Sequence, residues 1–266
     1  MPNGIVTLTT DFGEGSPYVA EMKGAMLSIN RDLKIVDATH TISPQNVLAG
    51  ALAIRQFYSA FPKGTVHVGV VDPGVGTDRR LLLLRGDEHY FIGPDNGLFS
   101  FLLPNADVFE LDKPKFWRPP VSVTFHGRDI MGPVAAHLCS GEEIETLASP
   151  FASESVTLPI PEPRFSSRFI EGEVMLVDSF GNLITNISER DLLKTFEIDS
   201  EAWDTVVIEI AGRVVHMVRT YTKSEQGDLV GLIGSSGWME VAVSSGNASE
   251  HLEIGCGEVV RVRAGD

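Results

Sequence analysis

The groups in this chain best placed for chemistry are a few aspartates at the ends of strand-like runs, an arginine that follows one of them across a glycine-rich stretch, and a histidine in a turn. Asp11 follows the run 5–9 within Thr9-Thr10-Asp11-Phe12-Gly13. Asp37 follows the run 34–36 and leads into Ala38-Thr39-His40. Asp72 ends the run 65–71 and opens Asp72-Pro73-Gly74-Val75-Gly76-Thr77-Asp78-Arg79-Arg80. One aspartate in such a place usually makes a turn or cap, because its carboxylate accepts from nearby backbone N–H groups. Three at the carboxyl ends of successive strands stand where open α/β sheets hold ligands. Gly74 and Gly76 suit a sharp backbone turn that brings Arg79 back toward Asp72. The stretch lacks the lysine and spacing of a phosphate-binding loop. His126, within Thr124-Phe125-His126-Gly127-Arg128-Asp129, titrates near neutrality and can exchange a proton there, and Asp129 reads as an N-cap of the helix that follows.

A second set lies late in the chain. Asp178-Ser179-Phe180-Gly181-Asn182 reads as a turn, with an aromatic at its tip that needs a flat partner. Asn182 could hydrogen-bond a base edge or a carboxylate. Gly234-Ser235-Ser236-Gly237-Trp238 is another small polar loop bearing an aromatic.

The elements that must position these groups follow from periodicity. Residues 5–9, 34–37 and 65–71 read as strands. Residues 18–30 and 46–61 carry apolar side chains every three or four positions and read as helices. Residues 80–85 and 89–92 read as a hairpin and 129–139 as a further helix. This alternation predicts an N-terminal α/β domain, residues 1–157, with a largely parallel sheet. The alternating prolines Pro159, Pro161 and Pro163 resist helix and central strand, so residues 158–168 read as an extended linker. Strand-like runs at 172–177, 183–187, 205–210, 213–218, 229–233, 239–243 and 258–263 predict a C-terminal β domain, 169–266, folded as a small antiparallel barrel or sandwich.

Composition narrows the partners. The 266 residues carry a formal net charge of -15, from 36 acidic and 21 basic side chains, which disfavours nucleic acid. No run of about 18 apolar residues predicts a membrane span. Cys139 and Cys256 have no metal-ligand spacing, and no export signal is legible, so a reduced cytoplasmic protein is expected.

TDFG at 10–13, VDPGVGTDRR at 71–80, FHGRD at 125–129 and DSFGNLITN at 178–186, in that order, resemble the S-adenosylmethionine (SAM) hydroxide adenosyltransferases, relatives of the fluorinase and chlorinase enzymes. The resemblance runs from about residue 5 to 260. It implies hydrolysis of SAM to adenosine and methionine, with SAM as substrate rather than cofactor and no metal. It implies a homotrimer that holds substrate between the N-terminal domain of one subunit and the C-terminal domain of the next. It also implies roles. Asp72, Arg79 and His126 would position and activate water, and Asp11 would bind the ribose hydroxyls. Asp178 would hold the methionine ammonium, Phe180 and Asn182 would contact adenine, and Ser235 would bind the methionine carboxylate.

Three departures from the halogenase pattern matter. Gln45 stands where those enzymes have a tryptophan over the ribose, and Ser236 where they have an arginine. Asp72 and Val75 replace the tyrosine and threonine of the halide pocket. A carboxylate at the nucleophile's site repels halide and accepts a hydrogen bond from water, so water is the expected nucleophile. The competing readings are a halogenase, a non-catalytic protein that binds SAM or adenosine, and a metal hydrolase built from Asp11, His40, Asp72 and His126. The last lacks any paired-histidine motif.

Overall fold

The computed structural model describes residues 1–159, 161–199, 202–221 and 224–265. Two compact units divide the chain, Met1–Pro159 and Ile160–Asp266.

In the first unit the chain runs β1 (Ile5–Thr10), α1 (Pro17–Ile29), β2 (Lys34–Thr39), α2 (Val47–Phe57), β3 (Val66–Val70), β4 (Leu81–Gly86), β5 (His89–Pro94), β6 (Asp107–Glu110), α3 (Gly132–Cys139), α4 (Ile144–Leu147) and β7 (Ser149–Pro150). The strands form one sheet in the order β2-β1-β3-β5-β4-β6-β7. β2, β1, β3 and β5 are mutually parallel, and the remaining pairings are antiparallel, with β4 and β5 forming the expected hairpin. Every residue of β3 is buried, as expected of a central strand covered on both faces.

Two apolar layers cover the sheet. Met22 and Met26 of α1 pack with Val6, Leu8, Val66, Val68 and Val70, while Ala51 and Ile54 of α2 pack with Leu82, Leu84, Phe91 and Leu98. Leu81 and Leu83 belong to the first layer and Leu82 and Leu84 to the second, as strand alternation requires. The chain therefore leaves β1 over one face toward β2 and returns over the other to β3. The β1–β3 boundary is the switch point, and the loops after these strands form its rim. Ser16 and Asn46 cap α1 and α2 by accepting from Tyr18 and Ala49.

Three local expectations are corrected. Asp37 does not end β2 but lies within it, opposite Leu8 on an exposed edge strand that continues to Thr39. The helix expected over 46–61 gives way after Phe57 to a 3-10 turn, Tyr58–Ala60. The helix expected from residue 129 starts instead as a π turn, Gly127–Met131, and Asp129 is not its cap.

A polar thread crosses this unit. Buried Thr7 Oγ1 lies 2.8 Å from His67 Nδ1, and His67 Nε2 lies 3.1 Å from His89 Nδ1. Burial, then the neighbouring His89, lowers the His67 pKa to about 3, so the ring is neutral in the fold.

The second unit contains β8 (Arg164–Phe165), β9 (Phe169–Val177), β10 (Leu183–Ser188), α5 (Glu189–Phe196), β11 (Val206–Ile210), β12 (Arg213–Met217), β13 (Leu229–Ile233), β14 (Trp238–Val243), α6 (Ala248–Leu252) and β15 (Val259–Ala264). The order is β10-β14-β13-β12-β11-β15-β9-β8, and β9 also pairs with β10. That pairing closes seven strands into a barrel, with β8 attached outside along β9. Met239, Val241 and Val243 point into its core with Ile170, Ile208 and Val262. The barrel is antiparallel except for β12 and β13, which run parallel.

The proline-rich stretch is anchored by side chains. Val156 N donates to Asp95 and Leu158 N to Ser100 Oγ, while Asn186 Nδ2 donates to Pro161 O, each at 2.8 Å.

Candidate functional site

The rim after β1 and β3 carries the first cluster. Arg79 Nε donates to both oxygens of Asp72, at 2.6 and 2.8 Å, and Nη2 also meets Asp72 Oδ2. Arg79 Nη2 lies 3.0 Å from His126 Nδ1. Both partners of the ion pair have buried side chains. A guanidinium only donates, so His126 Nδ1 is the acceptor and the neutral ring carries its proton on Nε2. Burial, then the charge of Arg79, lowers the His126 pKa against the opposing pull of Asp72 and Asp129.

Local backbone geometry makes this cluster possible. Gly76 is left-handed at φ 82°, and a Cβ there would sit 2.6 Å from Val123 O. The 72–80 loop can thus lie directly against the 121–126 loop, which brings Arg79 to His126. Asp129, fully buried, fixes the latter loop. It accepts from Arg128 Nε and Nη2 at 2.8 Å, from Arg118 Nη1 at 3.1 Å and from Ser122 N at 2.9 Å. Burial raises the Asp129 pKa, but these donors outweigh it and hold the group below the usual carboxylate range.

Asp11 lies on the same rim. One oxygen accepts from Gln45 N at 2.8 Å, and Gln45 adopts a left-handed φ of 66°, a strained conformation for that residue type. His40 connects Thr10 Oγ1, 2.9 Å from Nδ1, to Asp37 Oδ1, 2.9 Å from Nε2. Asp37 thus supports the rim from behind. Phe12, Tyr18 and Phe125 meet edge to face beside it, with centroids 5.4–5.9 Å apart.

The barrel carries the second cluster. Asp178 Oδ1 accepts from Phe180 N at 2.8 Å and Asn182 N at 2.9 Å, and Oδ2 accepts from Asn182 Nδ2 at 2.9 Å. Gly181 lies so close to Asn247 that a Cβ would stand 2.0 Å from Asn247 Oδ1. The turn thereby leaves Phe180 74% exposed at its tip. A cleft of about 420 Å³ is lined by Phe180, Asn182, Tyr221, Val243, Ser245 and Gly246. Ser235 is exposed on the β13–β14 turn, and the Ser236 Oγ beside it is buried without a hydrogen-bond partner.

Of the residues singled out from sequence, the structure gathers Asp11, Asp72, Arg79 and His126 on one rim, and Asp178, Phe180 and Asn182 on one turn, from which Phe180 and Asn182 line the cleft. It does not collect donors for the metal reading. His40 is engaged by Thr10 and Asp37, and Asp72 faces Arg79. Among the described residues no group of three or more His, Cys, Asp or Glu side chains is placed to hold a metal. Sequence reasoning missed Tyr221, Glu240 and the anchoring role of Asp129.

Comparison with known proteins gives this arrangement its context. Residues 6–148 match the SAM hydroxide adenosyltransferase N-terminal domain, and residues 172–261 match the C-terminal domain. Fold and site thus define a two-domain protein of the adenosyltransferase class. The chain belongs to the SAM hydroxide adenosyltransferase family. A protein of Thermus thermophilus named (R)-S-adenosyl-L-methionine hydrolase is 35% identical, covering 97% of this chain and 98% of its own length. One of the same name from Methanocaldococcus jannaschii is 33% identical, covering 94% and 92%. An Actinoplanes protein named fluorinase is 27% identical, covering 98% and 97%. A solved structure of an uncharacterized conserved protein from Thermotoga maritima superposes with a TM-score of 0.89 at 32% identity, covering 97% of this chain and 99% of the other.

Among the described residues no helix is long and apolar enough to cross a membrane.

Proposed function

We propose that this protein hydrolyses SAM to adenosine and methionine, with Asp72, Arg79 and His126 holding the attacking oxygen. The observation that carries the reading is the linked Asp72–Arg79–His126 cluster at the switch point of a chain whose near-full-length relatives are named for this hydrolysis.

The bond formed joins the water oxygen to ribose C5′, and the bond broken is C5′–S. The electron pair goes to sulfur, which leaves as a neutral thioether and needs no general acid. One proton leaves the water for bulk solvent, so that the SAM cation and water give adenosine, methionine and a proton. With Nδ1 occupied by Arg79, His126 presents Nε2–H, a donor. The cluster therefore stabilises hydroxide through His126 and the remaining guanidinium N–H groups, while Asp72 locks the guanidinium in place. Alignment behind C5′ adds the advantage of proximity. Asp11 keeps one carboxylate oxygen for the ribose hydroxyls, Phe180 and Asn182 supply the adenine contacts, and Asp178 and Ser235 hold the methionine ammonium and carboxylate. No cofactor enters this scheme.

The working form in this proposal is a homotrimer with sites at subunit interfaces. The cytoplasm is the proposed compartment, and the free thiols of Cys139 and Cys256 fit it.

The test is incubation with each sulfonium epimer of SAM, with and without chloride, fluoride and chelator, followed by chromatography. Adenosine and methionine unaffected by halide or chelator are expected. A halogenated adenosine, or bound SAM with no product, would overturn the reading.

A further inference from the structure

Glu240 is the most unusual acidic residue of the barrel. It sits on β14 between Met239 and Val241, whose side chains enter the core, so strand alternation turns Glu240 outward. Outward residues of such a barrel normally reach water, yet Glu240 is only 8% exposed. The covering comes from two sides. Gly234 is pressed against it so closely that a Cβ there would stand 1.7 Å from Glu240 Oε1. Tyr221, from the segment before β13, donates its hydroxyl to Glu240 Oε2 at 3.3 Å.

Among the described residues that long contact is the one hydrogen bond to a carboxylate able to accept about four. Among the described residues no ion pair to Glu240 is seen. Burial, then the charge of Asp178, raises its pKa, with Tyr221 opposing. Tyr221 is itself pushed up to about 12 by burial and Glu240, and so remains the donor. Asp178 differs sharply. Its carboxylate already receives three N–H donors from its own turn.

The charge of Asp178 reaches Glu240, and a donor to each carboxylate lines the same cleft. Asn182, which donates to Asp178, and Tyr221, which donates to Glu240, line the 420 Å³ cavity together. Leaving an ionisable acid buried with so little compensation is costly unless something cationic arrives. SAM brings such a group, because its methionyl ammonium has three N–H donors and a full charge.

We propose that Glu240 is a specificity-determining residue, a second carboxylate that together with Asp178 receives the ammonium of the methionyl end of the substrate. The inference rests on SAM being the ligand. Asp178 fixes the turn and supplies its remaining acceptor positions, and Glu240 supplies the less satisfied carboxylate. Adenosine has no charge at that end and draws nothing from Glu240. The site thereby favours the intact amino-acid-bearing sulfonium over the nucleoside product, which helps adenosine leave.

The test is calorimetric binding to the full chain. Four ligands are compared: SAM, S-adenosylhomocysteine, 5′-methylthioadenosine and adenosine. E240Q keeps the size and the contact with Tyr221 while removing the charge. It is expected to weaken SAM and S-adenosylhomocysteine alike by about 30-fold, the loss of one charge-assisted hydrogen bond. Methylthioadenosine and adenosine, which lack the ammonium, should change less than about twofold. Uniform weakening of all four ligands would make Glu240 a structural residue and overturn the proposal, as would unchanged binding of all four. Loss for SAM with S-adenosylhomocysteine unaffected would move the contact to the sulfonium and overturn the ammonium assignment. Wild-type protein that binds none of the four would remove the SAM reading itself, a result separate from any effect of the variant.

Discussion

Asp72 and Asp178 both lie in turns that follow a strand and contain glycine, but they are satisfied by different means. Asp72 is clasped by a guanidinium that in turn holds His126, so its charge is neutralised within the protein. Asp178 is met by neutral N–H groups, and its neighbour Glu240 has one long hydrogen bond from Tyr221. The first cluster is preorganised, with donors oriented before any ligand arrives. The second has a buried carboxylate with one long hydrogen bond among the described residues, and an exposed ring. In the proposed function the first does chemistry and the second does recognition. The distinction can be tested because kcat and KM separate the two contributions.

The sharpest attempt to break the comparison is at the preorganised cluster. His126→Ala should lower kcat by about 10³-fold, while KM stays within about threefold. Arg79→Lys keeps the charge but cannot clasp Asp72 and reach His126 together, and a loss of about 10²-fold in kcat is expected. Steady-state kinetics on both variants checks this, and an effect confined to KM would reverse the assignment of roles.

The recognition cluster should behave in the opposite way. Phe180→Ala removes the exposed ring and should raise KM by about 10- to 30-fold with kcat nearly preserved. Competition by adenosine should weaken to the same degree, which inhibition constants will show.

Acidification sharpens the contrast further. Protonating His126 at Nδ1 removes the acceptor for Arg79. Its pKa is lowered in the fold, so kcat should hold through neutrality and decline only below the ordinary histidine value of about 6.5. A kcat profile that declined already above pH 7 would contradict this. A slower loss of stability accompanies it. His67 has a pKa of about 3 folded against 6.5 unfolded, so its contribution is complete above pH 6.5 and is lost as pH falls toward 3. Between pH 7 and pH 5 this should cost about 2 kcal/mol in denaturant unfolding. The loss should vanish in His67→Gln if that variant folds.

The alternation of strands and helices was legible because burial on both sheet faces leaves unbroken apolar runs, as in β3. Asp11 and Asp72 could be placed because each follows such a run directly. Asp37 was misplaced by the same rule, since an exposed edge strand tolerates an aspartate in mid-strand that a central strand would not. Asp129 misled because its partners include Arg118, eleven positions upstream, and because the π turn begins before it. Glu240 was invisible for a different reason. In Trp238-Met239-Glu240-Val241-Ala242-Val243 it looks like the ordinary wet face of an amphipathic strand, and only the cover of Gly234 and Tyr221 sets it apart.

The parallel pairing of β12 with β13 breaks the barrel's antiparallel pattern, and parallel neighbours cannot be joined by a hairpin. The chain must travel back along the barrel between them, and Tyr221 lies on that return path. The cleft wall is thus a by-product of chain routing. A substitution at Tyr221 can reshape what the cleft accepts without disturbing a strand.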